Sequence, residues 1–308
     1  MGYDAQENRT INVYPLHRSL VGTMKDTSGI LLSTVYKLDQ SNENEMRDVL
    51  FPFALEEWWC RHMNQVKVPI IHLWTHPRAF VMGLRDSRLP EARAAKQWLE
   101  HQGYHTAVRN SGGLAVPLDA GVLNVSLLLP KTAIQMEFHR EFFWMTSMIQ
   151  RVVSSWIREN RSGEISSEDI RSGEIRGSFC PGEYDMSIGG RKFCGIAQRR
   201  LQQAVSVQAF IIVEGDGEVR AEQVKEFYRR ATNHLAITGV PEIIPQVTAS
   251  LSQALHQPIT VSQVADHISR LLAEEGIEVL SQQPQMPSRL DIQAGIDEMK
   301  LRYGLDGG

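Results

Sequence analysis

The tightest constraint on this chain is a pair of glycines set between two alternating runs. Tyr184-Asp185-Met186-Ser187-Ile188 alternates apolar and polar residues, Gly189-Gly190 follows, and Arg191-Lys192-Phe193-Cys194-Gly195-Ile196 alternates again. A type I′ turn needs φ > 0 at both central residues, so this pattern predicts a β-hairpin. Lys192 then lies just past the tip and pairs near Ser187. Cys180-Pro181-Gly182 precedes the first strand, which puts Cys180 in a loop, where a substrate can reach it. The hairpin alone leaves Cys180 and Lys192 roughly 20 Å apart along an extended strand. Either the Cys180 loop folds back or another segment bridges the two.

The remaining patterns place this hairpin in a mixed α/β (α+β) core. Residues 1–45 are polar and weakly periodic apart from Gly29-Ile30-Leu31-Leu32, and are expected to be loose. Residues 46–66, with Phe53, Leu55, Trp58, Trp59 and Met63, predict a helix, and 69–74 and 79–83 predict short strands. Pro90 opens a helix that runs to His101 and stops at Gly103. A strand over 104–109 leads into Asn110-Ser111-Gly112-Gly113-Leu114. The strand predicted over 122–129 carries Leu123, Val125 and Leu127 on one face and Asn124 and Ser126 on the other, and the polar face suits one side of a pocket. Residues 137–158 predict a long helix rich in Phe, Trp, Met and Val.

Residues 159–177 hold the word RSGEI twice, at 161–165 and 171–175, too few copies for a solenoid, and read as a flexible insertion. A strand over 204–213 and a helix over 220–234 follow, and Pro241 and Pro245 mark a boundary. Thr260-Val261-Ser262-Gln263 is a capping-box pattern, and a last helix is expected over 289–302. The expected division is an N-terminal extension (1–45), a catalytic core (46–238) and a small helical appendage (239–308).

Composition narrows the function classes. In 308 residues the net charge is −4, which gives no global drive toward nucleic acid or an anionic membrane. Three cysteines with no CxxC pair make neither a disulfide framework nor a zinc site, and fit free thiols in a reducing cytoplasm. The start lacks the apolar region of a signal peptide, and Gln6 stands where a myristoylation motif expects Ser or Thr. No apolar run is long enough to span a bilayer. The histidines are scattered without metal-ligand spacing, and neither a Walker loop nor GxGxxG occurs, so no metal, nucleotide or other cofactor is implied.

Cys180 reads as a nucleophile or as a small buried hydrophobe; the loop, the following Pro-Gly and the basic hairpin tip raise the first reading to stand level with the second. A nearby Lys192 ammonium would favour the reactive thiolate. Lys192 is a solvated hairpin charge or an ammonium that holds a substrate carbonyl and its developing oxyanion. Cys194 and Cys60 read as packing. Ser111-Gly112-Gly113 is a turn, or a place where backbone comes close to a ligand. His105 and Asp185 are structural, or the nearest supporting base or orienter.

Taken in order, Arg109-Asn110-Ser111-Gly112-Gly113, the strand around Asn124 and Ser126, and Gly190-Arg191-Lys192 followed by Gly195-Ile196-Ala197-Gln198-Arg199-Arg200 resemble the lipoyl/biotinyl protein ligase-transferase superfamily over residues 50–235. SFCPGEYDMSI, GGRKFCGIAQRR and NSGGLAVPLDAGVLNVSLLLP are more specific, and resemble the octanoyltransferases that move octanoyl from the glycine cleavage H protein to other lipoyl domains. The resemblance implies a ligase-like mixed sheet flanked by helices. It implies Cys180 as the acyl-accepting cysteine, Lys192 as the substrate-binding lysine, and Arg109, Ser111, Gly112, Gly113, Asn124, Asp185 and Gly195 about the substrate. An apolar slot for the acyl chain is expected from Leu114, residues on the Val125 side and the hairpin. ATP-dependent lipoate ligases carry a longer glycine run and a His-Asp pair; here Leu114 interrupts the glycines and Leu118 precedes Asp119, which points to transfer without ATP. The implied partners are the H protein as donor and lipoyl domains of 2-oxoacid dehydrogenases as acceptors, with Arg199 and Arg200 facing an acidic domain or only solvent. Three alternatives remain open: octanoyl taken from acyl carrier protein, an ATP-dependent ligase, and a non-catalytic binder of lipoyl domains.

Overall fold

The computed structural model describes residues 32–43, 48–131, 139–160 and 165–305. The chain opens with β1 (Thr34–Gln40), helix α1 (Phe51–Arg61) and the single turn α2 (Met63–Val66), which Lys67 ends in a left-handed conformation. Then come β2 (Ile70–Trp74), β3 (Arg78–Met82), α3 (Ala92–His101), β4 (His105–Val108), β5 (Val116–Asp119) and β6 (Val122–Pro130). The long α4 (Arg140–Asn160) precedes β7 (Ile170–Ser172), β8 (Met186–Ile188), β9 (Arg191–Arg200) and β10 (Ala204–Ile212). Helices α5 (Gly217–Ala231), α6 (Leu251–Ala254) and α7 (Val261–Glu274), the short β11 (Glu278–Val279) and α8 (Arg289–Tyr303) follow.

Among the described residues, eight strands form one mixed sheet in the order β11-β1-β2-β6-β10-β9-β8-β7, and β4-β3-β5 form a second. β1 runs parallel to β11 and β2, and from β2 to β7 each pairing is antiparallel. Every residue of β2 and β6 is buried, as in strands covered on both faces. The period of two in β6 splits its side chains between two cores. Leu123, Val125, Leu127 and Leu129 pack with Trp144 of α4 and Ile268 of α7. Val122 and Leu128 pack on the opposite face with Phe53 of α1 and Phe227 of α5. Asn124 and Ser126 share that second face.

The predicted hairpin forms. Gly189 and Gly190 have φ of 59° and 77°, Ser187 pairs with Lys192, and Ile188 pairs with Arg191. Its first strand is shorter than expected and begins at Met186. Asp185 turns out of the strand because its carboxylate accepts the Gly182 N–H at 2.9 Å and closes a turn. The Thr260 capping box is also present, with Gln263 and Thr260 bonded reciprocally.

Three segments differ from the expectations. Thr34–Gln40 is a strand in the main sheet, not loose chain: Val35 and Leu38 gain burial only by pairing with β2 and packing on distant residues. The Gly29-Ile30-Leu31 run lies outside the described residues. The second RSGEI word is not a free insertion, because Ile170–Ser172 pairs with β8 as the edge strand and the Gly173 N–H donates to the Asp185 carbonyl at 2.9 Å; most of the first word, residues 161–164, lies outside the described residues. Within 239–308, β11 joins the main sheet, α7 packs into the same core as α4, and α8 packs on α1. The Ala249 N–H donates to the Lys192 carbonyl and the Ile244 N–H to the Gly177 carbonyl, so this segment also braces the Cys180 loop and β9.

Candidate active site

A cavity of about 290 Å³ opens on the second face of the main sheet. Phe53, Trp74, Val116, Leu118, Ile196 and Phe210 give it an apolar lining. Ser111, Asn124, Ser126, Gln198 and Gln208 add separate polar groups, and Cys180, Pro181 and Gly182 stand on one side.

Cys180 is held in an unusual way. Its φ is 46°, a left-handed conformation that a residue with a Cβ adopts at a cost of about 1–2 kcal/mol. Lys192 over-determines it. The Nζ donates to the Phe179 carbonyl at 2.9 Å and to the Cys180 carbonyl at 2.8 Å, and lies 2.7 Å from Asp185 Oδ2. An ammonium has three N–H groups, and these three acceptors match them. The loop thus folds back onto β9, closing the gap that the hairpin alone leaves.

The sulfur faces a second set of donors. The Leu114 N–H points at Cys180 Sγ from 3.2 Å, and Arg109 Nη2 lies 3.7 Å away. Arg109 also donates to the Gly112 carbonyl at 3.1 Å and the Leu114 carbonyl at 2.7 Å, so one guanidinium fixes the 112–114 turn against the sulfur. Gly113 has φ +95°, and a Cβ there would lie 2.6 Å from Arg109 Nη2 and 2.9 Å from Cys180 Sγ. Gly113→Ala is therefore expected to push the sulfur and guanidinium apart. Activity should fall roughly 100-fold, on the scale of a 1 Å misplacement, with a smaller loss of stability. Steady-state kinetics beside a thermal melt checks this.

The structure brings Arg109, Ser111, Gly112, Gly113, Asn124, Gly195 and Cys180 to one cavity. The Ser111 hydroxyl is buried and finds no hydrogen-bond partner among the described residues, as a group reserved for a ligand would. Asn124 donates to the Trp74 carbonyl at 3.3 Å. Gly195 leaves room for its neighbours: a Cβ there would lie 2.4 Å from the Phe210 ring and 3.2 Å from Lys192 Nζ. Two expected site residues stand behind the cavity instead. Lys192 and Asp185 are buried and do not line it. Nor does His105, which is exposed on β4. The expected slot also changes. Val125 faces the other core, and Leu114 offers its backbone to the sulfur rather than its side chain to the cavity.

Two groups without a local sequence signal support the turn. Tyr228 of α5 donates to Asp86 at 2.9 Å and accepts the Ala115 N–H at 3.3 Å, next to the N–H that meets the sulfur. Burial pushes the Asp86 carboxyl up and the Tyr228 phenol well up. Cys60 and Cys194 are fully buried, and burial drives both thiols far above the usual range, so neither competes with Cys180 as a nucleophile.

Burial pushes Asp185 up to about 6, against the opposing pull of Lys192. A folded value above the unfolded one means that the fold favours the protonated acid. That contribution is complete below about 3.8 and is lost as pH rises through 6. The stability of the wild type relative to Asp185→Asn is therefore expected to rise by roughly 1–3 kcal/mol as pH falls from 6 to 4. Urea melts of both proteins across that window measure it.

Residues 48–273 match the lipoyl protein ligase A/B catalytic domain family. The chain belongs to this family. The octanoyl-[GcvH]:protein N-octanoyltransferase of Oceanobacillus iheyensis is 36% identical over 249 residues, covering 79% of this chain and 85% of that protein. The enzyme of the same name from Lysinibacillus sphaericus is 37% identical over 236 residues, covering 76% and 81%. Lipoate-protein ligase A bound with ATP superposes with a TM-score of 0.60 at 16% identity, over 90% of this chain and all of that one, which shows the shared fold. No described helix of this family member is long and apolar enough to cross a membrane.

Proposed function

We propose that this chain is a cytoplasmic octanoyltransferase of lipoate assembly, which takes octanoyl from the glycine cleavage H protein and passes it to lysines on lipoyl domains. The observation that carries the reading is Cys180 Sγ at an apolar-lined cavity with the Leu114 N–H and Arg109 aimed at it. The names of the relatives supply the acyl group and the donor.

The chemistry proceeds in two acyl transfers. Cys180 gives its thiol proton to solvent and attacks the carbonyl of the octanoyl-lysine amide as the thiolate. The nitrogen of the tetrahedral intermediate takes up a proton from solvent, the C–N bond breaks, and the neutral lysine amine leaves behind a thioester. The ε-amine of an acceptor lysine then attacks the thioester and releases the thiol. An amide is a poor electrophile, so the oxyanion needs fixed donors beside the sulfur; Leu114 N–H and the Arg109 guanidinium are the nearest. Lys192 holds the nucleophile's own backbone, with Asp185 as its counter-ion. Gly112-Gly113 lets the acyl-lysine come close, and Ser111 offers an unspent hydroxyl. Leu118 stands where an adenylating ligase is expected to carry the histidine of its His-Asp pair, which favours transfer without ATP, and Asp119 is tied to Arg220 at 2.6 Å.

Mixing the protein with octanoylated H protein and an unacylated lipoyl domain, without ATP, tests the reading. Ping-pong kinetics with no dependence on ATP are expected. Transfer from octanoyl-acyl carrier protein alone would move the chain to the sibling donor, and strict ATP dependence would make it a ligase.

A further inference from the structure

Two rows of register partners across the main sheet underlie the cavity, and all of them but the buried His72 line it. Gly195, Phe210, Asn124 and Trp74 are register partners in the first row. Ala197, Gln208, Ser126 and His72 are register partners in the second. The first row belongs to the Cys180 end: a Cβ on Gly195 would lie 3.2 Å from Lys192 Nζ, which holds the Cys180 carbonyl. The second row lies two residues further along each strand, roughly 7 Å away.

The two rows differ in chemistry. The first presents two aromatic rings. The second ends in a hydrogen-bonded polar chain. Gln208 Nε2 donates to Glu56 Oε2 at 2.6 Å, Glu56 Oε1 meets His72 Nδ1 at 2.9 Å, and His72 Nε2 meets Gln40 Oε1 at 3.0 Å. Glu56, His72 and Gln40 are buried, while Gln208 lines the cavity. Gln208 is thus the half-buried, cavity-lining end of a fixed network, and its side chain cannot swing away without breaking a bond to a buried carboxylate.

We propose that Gln208, anchored by Glu56, is the end wall that sets the length of acyl chain this cavity accepts. This rests on the acyl-transfer reading above. An extended octanoyl chain has seven C–C bonds of ~1.5 Å at near-tetrahedral angles and spans roughly 9 Å, longer than the roughly 7 Å between the rows. Two more carbons add roughly 2.5 Å and meet the amide. A shorter chain leaves the apolar lining between the rows unfilled.

The test uses glycine cleavage H protein carrying hexanoyl, octanoyl, decanoyl or dodecanoyl on its lysine. The rate of the Cys180 acyl adduct is read by intact-protein mass spectrometry in single turnovers. Wild type is expected to take octanoyl at least about tenfold faster than decanoyl, the scale of one or two methylenes in a closed pocket. Gln208→Ala removes the wall and is expected to bring decanoyl to within roughly threefold of octanoyl. Ala197→Leu fills the same row from the opposite strand and is expected to move the preference to hexanoyl. The two variants shift the length profile in opposite directions, which a general loss of stability does not do. Unchanged length ratios in both would overturn the proposal. A wild type that takes no acyl group of any length would instead overturn the transfer reading.

Discussion

Cys180→Ala is expected to lower octanoyl transfer by roughly 10⁴-fold or more, the scale seen when a covalent nucleophile is removed. The fold should be indifferent to the change. Cys180 is only partly buried, and its left-handed backbone is held by Lys192 through main-chain carbonyls, which alanine keeps. Stability is expected to change by less than about 1 kcal/mol. Cys194→Ala, by contrast, removes a buried thiol from the core under α4, and is expected to cost roughly 1 kcal/mol of stability with little effect on transfer. Transfer assays and urea melts on the two variants separate a chemical cysteine from a packing one.

The second large effect is expected at Lys192. Lys192→Met keeps most of the volume but strands three acceptors: two backbone carbonyls and the Asp185 carboxylate. Removing one partner of a buried ion pair costs about 3–5 kcal/mol. Transfer should also fall roughly 100- to 1,000-fold, because the Cys180 backbone is no longer held at φ 46° and the sulfur leaves its donors. The double variant Lys192→Met/Asp185→Asn removes the stranded charge, so it should recover much of the stability. It should not recover transfer. Recovery of both would mean that Lys192 serves only its counter-ion. A lysine acting directly on the substrate predicts instead that KM for acylated donor rises while the Cys180 loop stays ordered.

The hairpin could be read from sequence because its information is local: two glycines supply φ > 0, and alternation on either side fixes the faces. The polar face of β6 was legible for the same reason, and Asn124 and Ser126 do line the cavity. The cavity as a whole was not. Leu114 and Cys180 meet across 66 positions of sequence, and nothing in either segment announces the other. Gln208, Glu56 and His72 come from three elements, and each alone reads as an ordinary polar residue in a half-buried pattern. Tyr228 and Asp86 are equally silent, since a buried hydroxyl–carboxylate pair has no spacing rule.

Lys192 shows the opposite limit. Its place at the hairpin tip was correct, but a side-chain direction depends on what the loop before the hairpin does. That loop returns because Asp185 closes a turn on Gly182 and faces the ammonium, which holds the Phe179 and Cys180 carbonyls, and because Ile244 braces Gly177. β1 gives no strand signal in the sequence for a related reason: the parallel partners that bury it, β2 and β11, lie on either side of it, one about 35 and the other about 240 residues away.

The central claim is a thioester on Cys180, and intact-protein mass spectrometry tests it most directly. Wild type and Cys180→Ala are each mixed with octanoylated H protein and no ATP. The account predicts a single octanoyl adduct on the wild type, removed by hydroxylamine and absent from the variant. An adduct that survives hydroxylamine, or one that forms equally on Cys180→Ala, would contradict it.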